Sequence, residues 1–205
     1  MRSETRLFGG ALAMIAAATA VLVVLPYFQL HDVKPPAGLH PYTSAQLRGR
    51  QEYIRQGCTY CHSQQPRDRA QAPDAQRGWG RASVAADYFY DSPHLLGTMR
   101  TGPDLFNIGA RQPSLDWHLG HLYQPRAFVP GSIMPAFSYL FRVTGEKPKD
   151  VEPLALPEQY RVPGYYVVPT QEALDLVDYL VSLNHTYPIL QGDATALNTT
   201  RSQSE

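Results

Sequence analysis

The sequence predicts a mainly α-helical domain held at a membrane by a single N-terminal transmembrane helix. Three observations lead there. An uncharged apolar stretch fills most of the first thirty residues, later segments carry helix caps with apolar stripes, and no stretch alternates as a strand would.

The 205-residue chain has 18 basic and 18 acidic side chains, a balance that leaves no footprint for nucleic acid. Its 18 prolines and 15 glycines predict a loop-rich body. The 2 cysteines, Cys58 and Cys61, are too few for a disulfide framework.

From Leu7 to Leu30 no residue is charged, and Ala11–Leu25 is almost wholly apolar. That length suits a hydrocarbon core of ~30 Å at ~1.5 Å of helix rise per residue. Arg2 and Arg6 precede it, and Tyr27 and Phe28 stand at its far end, where aromatic rings favour the interface. Ala18-Thr19-Ala20 offers a small-x-small cleavage site. The apolar run continues past it through Val21–Leu25, so a retained anchor at 1–30 is expected, with its N-terminus in the cytoplasm. Gly9, Ala13 and Ala17 form a small-residue face on it.

Residues 31–44, with three prolines, read as a linker. The main domain is expected over 45–190. Ser44 is a candidate N-cap for a helix from about Ala45 to Gln56, ended by Gly57. Leu47 and Ile54 lie on one of its faces, Gly49 and Tyr53 on another. A short helix is expected over Ser114–Tyr123. Residues 142–169, rich in proline and charge, read as a surface excursion without strands. Thr170 should cap a last helix, Gln171–Leu183, whose stripe is Leu176, Tyr179, Leu180 and Leu183. The polar stretch 191–205 is expected to be a disordered tail.

Cys58-Thr59-Tyr60-Cys61-His62 carries the chemistry. C-x-x-C-H lets two thiols add to the vinyl groups on one edge of a haem while the next residue reaches its iron. A zinc site would need two further ligands, for which the closely spaced His118 and His121 are the candidates. A redox dithiol would need a βαβ setting. One covalent haem c is the expectation, with His62 an axial ligand. Met134, in Gly131-Ser132-Ile133-Met134-Pro135, is the favoured second ligand, presented from a loop of turn formers. Met99 is a rival, as is a histidine among positions 31, 40, 94, 118, 121 and 185. His/Met ligation implies a relatively high potential. With both axial positions filled, catalysis by this chain alone is not expected. Pro103, after the Gly102 turn, could accept the other ring N–H of His62. Arg111 could pair with a haem propionate.

Over roughly 45–187 these residues resemble the cytochrome c superfamily. The likeness rests on Gly49-x-x-x-Tyr53, C-x-x-C-H, Gly102-Pro103-x-Leu105 with Arg111, Met134-Pro135, and Leu176–Leu180. It implies that the first and last helices cross closely, Gly49 and Tyr53 against Tyr179 and Leu180. A nearer likeness is to the mono-haem subunit of cbb3-type cytochrome c oxidases. It rests on Gly49-Arg50-x-x-Tyr53, Cys61-His62-Ser63-Gln64, Ser83-Val84-Ala85, Tyr90-Asp91-x-Pro93, Arg100–Leu105, and Trp117-His118 with Gln124-Pro125-Arg126. The chain departs from that family at Gln65-Pro66-Arg67 and in the 142–169 excursion.

The resemblance implies an electron-transfer subunit in the bacterial inner membrane, with its haem domain in the periplasm. Its partners would be a catalytic haem–copper subunit and, as donor, a further cytochrome c subunit or a soluble cytochrome. The alternatives are the cytochrome subunit of a nitric oxide reductase and a free-standing tethered carrier.

Overall fold

The computed structural model describes residues 2–149 and 151–189. The expected disordered tail, 191–205, lies outside them. The chain divides into two units, one containing the N-terminal helix, the other built from Gly38–Ser83 and Tyr90–Tyr187.

The N-terminal unit carries α1 (Arg2–Thr19), a π-helical turn (Ala20–Val24) and α2 (Leu25–Leu30) in one continuous rod. Pro26 explains the widened turn. It has no N–H, and its ring crowds the carbonyl four residues back. Upstream, the Leu25 N–H accordingly bonds the Ala20 carbonyl, one residue further back than in an α-helix. The helix Ser3–Leu30 spans 28 residues with its side chains exposed, long and apolar enough to cross a bilayer.

In the second unit α3 (Ser44–Arg55) is capped by Thr43, one residue before the expected Ser44. The Thr43 side chain accepts from the Gln46 N–H at 3.2 Å, and the Gln46 side chain returns a bond to the Thr43 N–H at 3.0 Å. Thr43 and Gln46 form this reciprocal box because Gln stands three residues after Thr. α3 buries Gly49, Arg50 and Tyr53, while Leu47 and Ile54 stay 47% and 42% exposed. The small face, not the apolar one, meets α7 (Gln171–Ser182). There the Tyr53 and Tyr179 rings pack edge-on, 5.6 Å apart, 1% and 0% exposed.

Between these helices lie α4 (Ile108–Arg111), α5 (Leu115–Tyr123) and α6 (Pro125–Phe128). α7 buries Ala173, Leu176, Val177, Tyr179 and Leu180, and Leu183 just beyond it is buried too. The excursion is not strand-free. β1 (Phe141–Thr144) pairs antiparallel with β2 (Tyr166–Pro169), Phe141 opposite Pro169 and Thr144 opposite Tyr166. Each strand is only four residues long, too short for alternation to register in sequence. Between them Leu156 is buried in the core, so the Pro-rich segment is sewn to the domain at its ends and its middle.

Candidate functional site

The site begins where α3 ends. The Gln56 N–H bonds the Glu52 carbonyl at 2.8 Å, and Gly57 turns the chain with φ 72°. Cys58–Tyr60 form one 3₁₀ turn. The N–H groups of Cys61 and His62 both donate to the Cys58 carbonyl, at 3.2 and 2.9 Å. One tight turn therefore gathers Cys58, Cys61 and His62. The two cysteines are not joined in a disulfide, and burial pushes the Cys58 thiol up to about 12.

His62 Nδ1 lies 2.7 Å from the Pro103 carbonyl oxygen. A carbonyl only accepts, so Nδ1 carries the proton and Nε2 keeps its lone pair for a metal. Burial pushes this imidazole's pKa down, outweighing the Pro103 carbonyl and Asp104, which raise it. A side chain at position 102 would run into the His62 ring, so the close approach requires glycine there.

The loop carrying Pro103 is braced from behind. Ser63 Oγ–H and the Gln65 N–H donate to Asp104 Oδ2 at 2.6 and 2.7 Å, and the Phe106 N–H donates to Oδ1 at 2.9 Å. Burial nonetheless raises the Asp104 pKa above the ordinary carboxylate value. Arg100 donates to Asp74 at 2.7 Å, to Ser63 Oγ at 3.2 Å and to the Gln65 carbonyl at 2.8 Å. Asp74 and Asp104 are both fully buried. Breaking such a network by removing one partner strands a charge in a dry interior.

His62 lines a cavity of about 390 Å³, within the range of roughly 300–1,000 Å³ that ligand pockets occupy. Cys61 lines it beside His62, and Cys58 packs against the adjoining core. α5 contributes Trp117, His118, His121 and Leu122, one helical face. Ser114 caps that helix, its Oγ accepting from the Trp117 N–H at 3.2 Å. The loop after α6 contributes Ile133 and Met134. A turn closed by the Ser132 N–H on the Val129 carbonyl at 3.1 Å shapes it, and the Phe137 N–H, donating to the Leu122 carbonyl at 2.9 Å, pins it to α5.

Cys61, His62, Pro103 and Met134 thus meet in one cavity. Met99 is 54% exposed and is not among the residues lining it. Of the other histidines considered as ligands, His118 and His121 line it. His185 instead holds its Nδ1 2.7 Å from the Phe106 carbonyl.

Arg111 closes α4 behind the loop and does not line the cavity. Its Nη2 donates to the Asp104 carbonyl, and burial pushes its pKa down, with Asp104 opposing. Arg111 Nε is buried without a partner among the described residues, as is His121 Nδ1. Burial, then His118 and His62, push the His121 imidazole down to about 4, so its ring is neutral near pH 7. Leaving such buried groups unmatched costs about 1–3 kcal/mol each. An apolar cavity bearing an imidazole with a free lone pair and a thioether fits a haem.

The chain matches the family described as "Cytochrome C oxidase, mono-heme subunit/FixO" over residues 2–173. The chain belongs to that family. No curated protein matches it. The mono-haem subunit therefore carries one haem and works in electron transport in a cbb3-type oxidase, as the sequence motifs imply. Its apolar N-terminal helix fits a membrane-anchored member.

Sequence reasoning missed the Asp74–Arg100–Asp104 brace. Asp104 stood inside the motif that carried the family likeness, directly after the proline facing His62, and that position was its signal. Asp74 sits in a stretch with no periodicity and had none. For Arg111, replacement with glutamine should leave the haem attached and shift the potential modestly, by on the order of 1 kcal/mol for one charge-assisted hydrogen bond. A redox titration checks this, and an unchanged midpoint would make Arg111 only a strut for the Asp104 carbonyl.

Proposed function

We propose that this subunit is the electron-entry cytochrome of the oxidase, taking electrons from a further cytochrome c subunit or a soluble cytochrome and passing them to the catalytic haem–copper subunit. Cys58 and Cys61 would hold the haem by thioether bonds, and His62, through Nε2, and Met134 would hold its iron. When bound, the haem supplies a one-electron ferric/ferrous couple. The protein's part would be to hold these side chains in place and exclude water. The Pro103 carbonyl holds His62 in the tautomer that binds metal, and Asp104 and Arg100 hold the loop that presents it. The anchor lies with its N-terminus in the cytoplasm, as Arg2 and Arg6 favour, and the haem domain stands in the periplasm.

The observation that carries this reading is the single cavity shared by Cys61, His62 and Met134. The match to an oxidase subunit favours an oxygen-reducing complex over a nitric oxide reductase.

Purification in mild detergent tests it. The chain should emerge with a large haem-containing membrane subunit, and oxygen should reoxidise the reduced complex. After boiling in denaturing detergent, haem stain should stay at the mass of this chain, and Cys58→Ala or Cys61→Ala should sharply reduce it. Haem released by denaturation would refute thioether attachment, and a chain purifying alone would leave only a tethered carrier.

A further inference from the structure

We propose that the widened turn in the membrane anchor is a docking point. There the main-chain carbonyl of Val21 accepts a hydrogen bond from a hydroxyl or amide side chain on a transmembrane helix of the oxidase's catalytic subunit. This rests on the reading of the chain as a subunit of that complex.

The Val21 carbonyl is one that its own helix does not serve. The Leu25 N–H bonds the Ala20 carbonyl, whereas in a regular α-helix it would bond Val21. One residue further on, where a π-helical ladder would supply the donor for Val21, stands Pro26, which has no N–H. Val21 is therefore left with neither an α nor a π donor, and Leu22 loses its α donor to the same proline. No side chain of the anchor makes good the loss. From Ala20 to Leu30 there is no serine or threonine. Thr19 lies on the wrong side, since a threonine hydroxyl reaches back three or four residues. Gln29 is two turns further on. The Tyr27 ring stacks on His31, one turn beyond it, at 5.6 Å and 17°, and so faces away from Val21.

Depth makes this costly. Val21 lies six residues before Tyr27, the first aromatic at the far end of the span, or about 9 Å inside it. Hydrocarbon offers no donor, so an unsatisfied carbonyl is far more expensive there than in water. Membrane helices keep an internal proline where a neighbouring helix meets the groups it frees. The way in is open, because the preceding turn, Ala16-Ala17-Ala18-Thr19-Ala20, has small side chains that let another backbone approach. The anchor's side chains are exposed within this chain, so the donor comes from another one.

The test purifies the full complex and reads how much catalytic subunit stays with this chain through a graded detergent wash. Pro26→Ala supplies an N–H and removes the ring, so the helix closes and serves its own carbonyls. Leu25→Thr keeps Pro26 and places a hydroxyl three and four residues beyond Leu22 and Val21, within reach of both carbonyls. Each should lower the retained catalytic subunit about three- to tenfold, the weight of one interhelical hydrogen bond in lipid. Membrane insertion, covalent haem and midpoint potential should not change. Leu25→Val has the shape of threonine without the donor and should retain the subunit as the wild type does. Equal retention in Leu25→Thr and Leu25→Val overturns the proposal, and so does full retention in Pro26→Ala. If Pro26→Ala does not insert, the two Leu25 variants decide alone. Photoreactive benzoylphenylalanine at Val24, beside the free carbonyl, should cross-link to the catalytic subunit. Capture of a second copy of this chain in its place overturns the choice of partner. A wild-type chain that purifies without any catalytic subunit would mean that the reading as an oxidase subunit has failed. A stable complex indifferent to these variants sinks the docking point alone.

Discussion

Replacing Gly49 with leucine will pry α3 from α7 and destabilise the domain by about 3 kcal/mol, the upper range for overpacking a close contact. A Cβ at position 49 runs into the Asp175 backbone carbonyl and lies 2.9 Å from Tyr179 Cβ. Backbone cannot swing aside as a side chain tip can, so the helices must separate. Separation would pull apart Tyr53 and Tyr179, whose edge-on packing contributes about 0.5–1.5 kcal/mol beyond its buried area. It would also loosen Arg48 from Asp175, now 2.6 Å apart, and Gln64 from the Tyr179 hydroxyl at 3.1 Å. The readout is the denaturant midpoint of the haem-loaded protein. Gly145→Ala is the control, because a Cβ there meets nothing within 4 Å. Equal midpoints for the two variants would mean that the helix crossing does not carry the fold.

That crossing illustrates what was legible in advance. Gly49, Tyr53, Tyr179 and Leu180 could be paired on paper because a small residue and large ones at helical spacing mark a close contact, and the likeness to cytochromes c supplied the partner. The C-x-x-C-H turn was legible for a different reason: its chemistry fixes its spacing. Caps were readable to within a residue, since Thr43 and Ser44 are both good N-caps and only Gln46, three residues after Thr43, decides between them. Three things were not legible. The pair β1–β2 brings together segments about twenty residues apart through strands of four residues, and so few positions give no period. The Asp74–Arg100–Asp104 network joins charges from separate loops, which no local pattern announces. That His118 and His121 line the cavity depends on which face of α5 turns towards it, and their spacing alone does not tell.

Met134→His should lower the reduction potential by on the order of 0.1 V or more, given that axial ligands command a span of ~0.8 V. It should also abolish the red thioether band. A thioether stabilises ferrous iron relative to a second imidazole, so exchanging one for the other favours the ferric state. The site can accept the change. Met134 is half-buried at the cavity wall, on a loop fixed at both flanks by the Ser132–Val129 and Phe137–Leu122 bonds, so a new side chain at 134 still points from the same backbone. Met134→Leu separates ligation from packing. It keeps the apolar bulk, so stability should change by less than about 1.5 kcal/mol as in other volume-conserving swaps, while the band disappears and the potential moves. Met99→Leu should change neither, because Met99 stands largely in solvent. The assignment fails if Met134→Leu keeps both band and potential. In that event the histidines on the same wall, His118 and His121, become the candidates, and His121 comes first because its ring is the one without a hydrogen bond to the protein among the described residues.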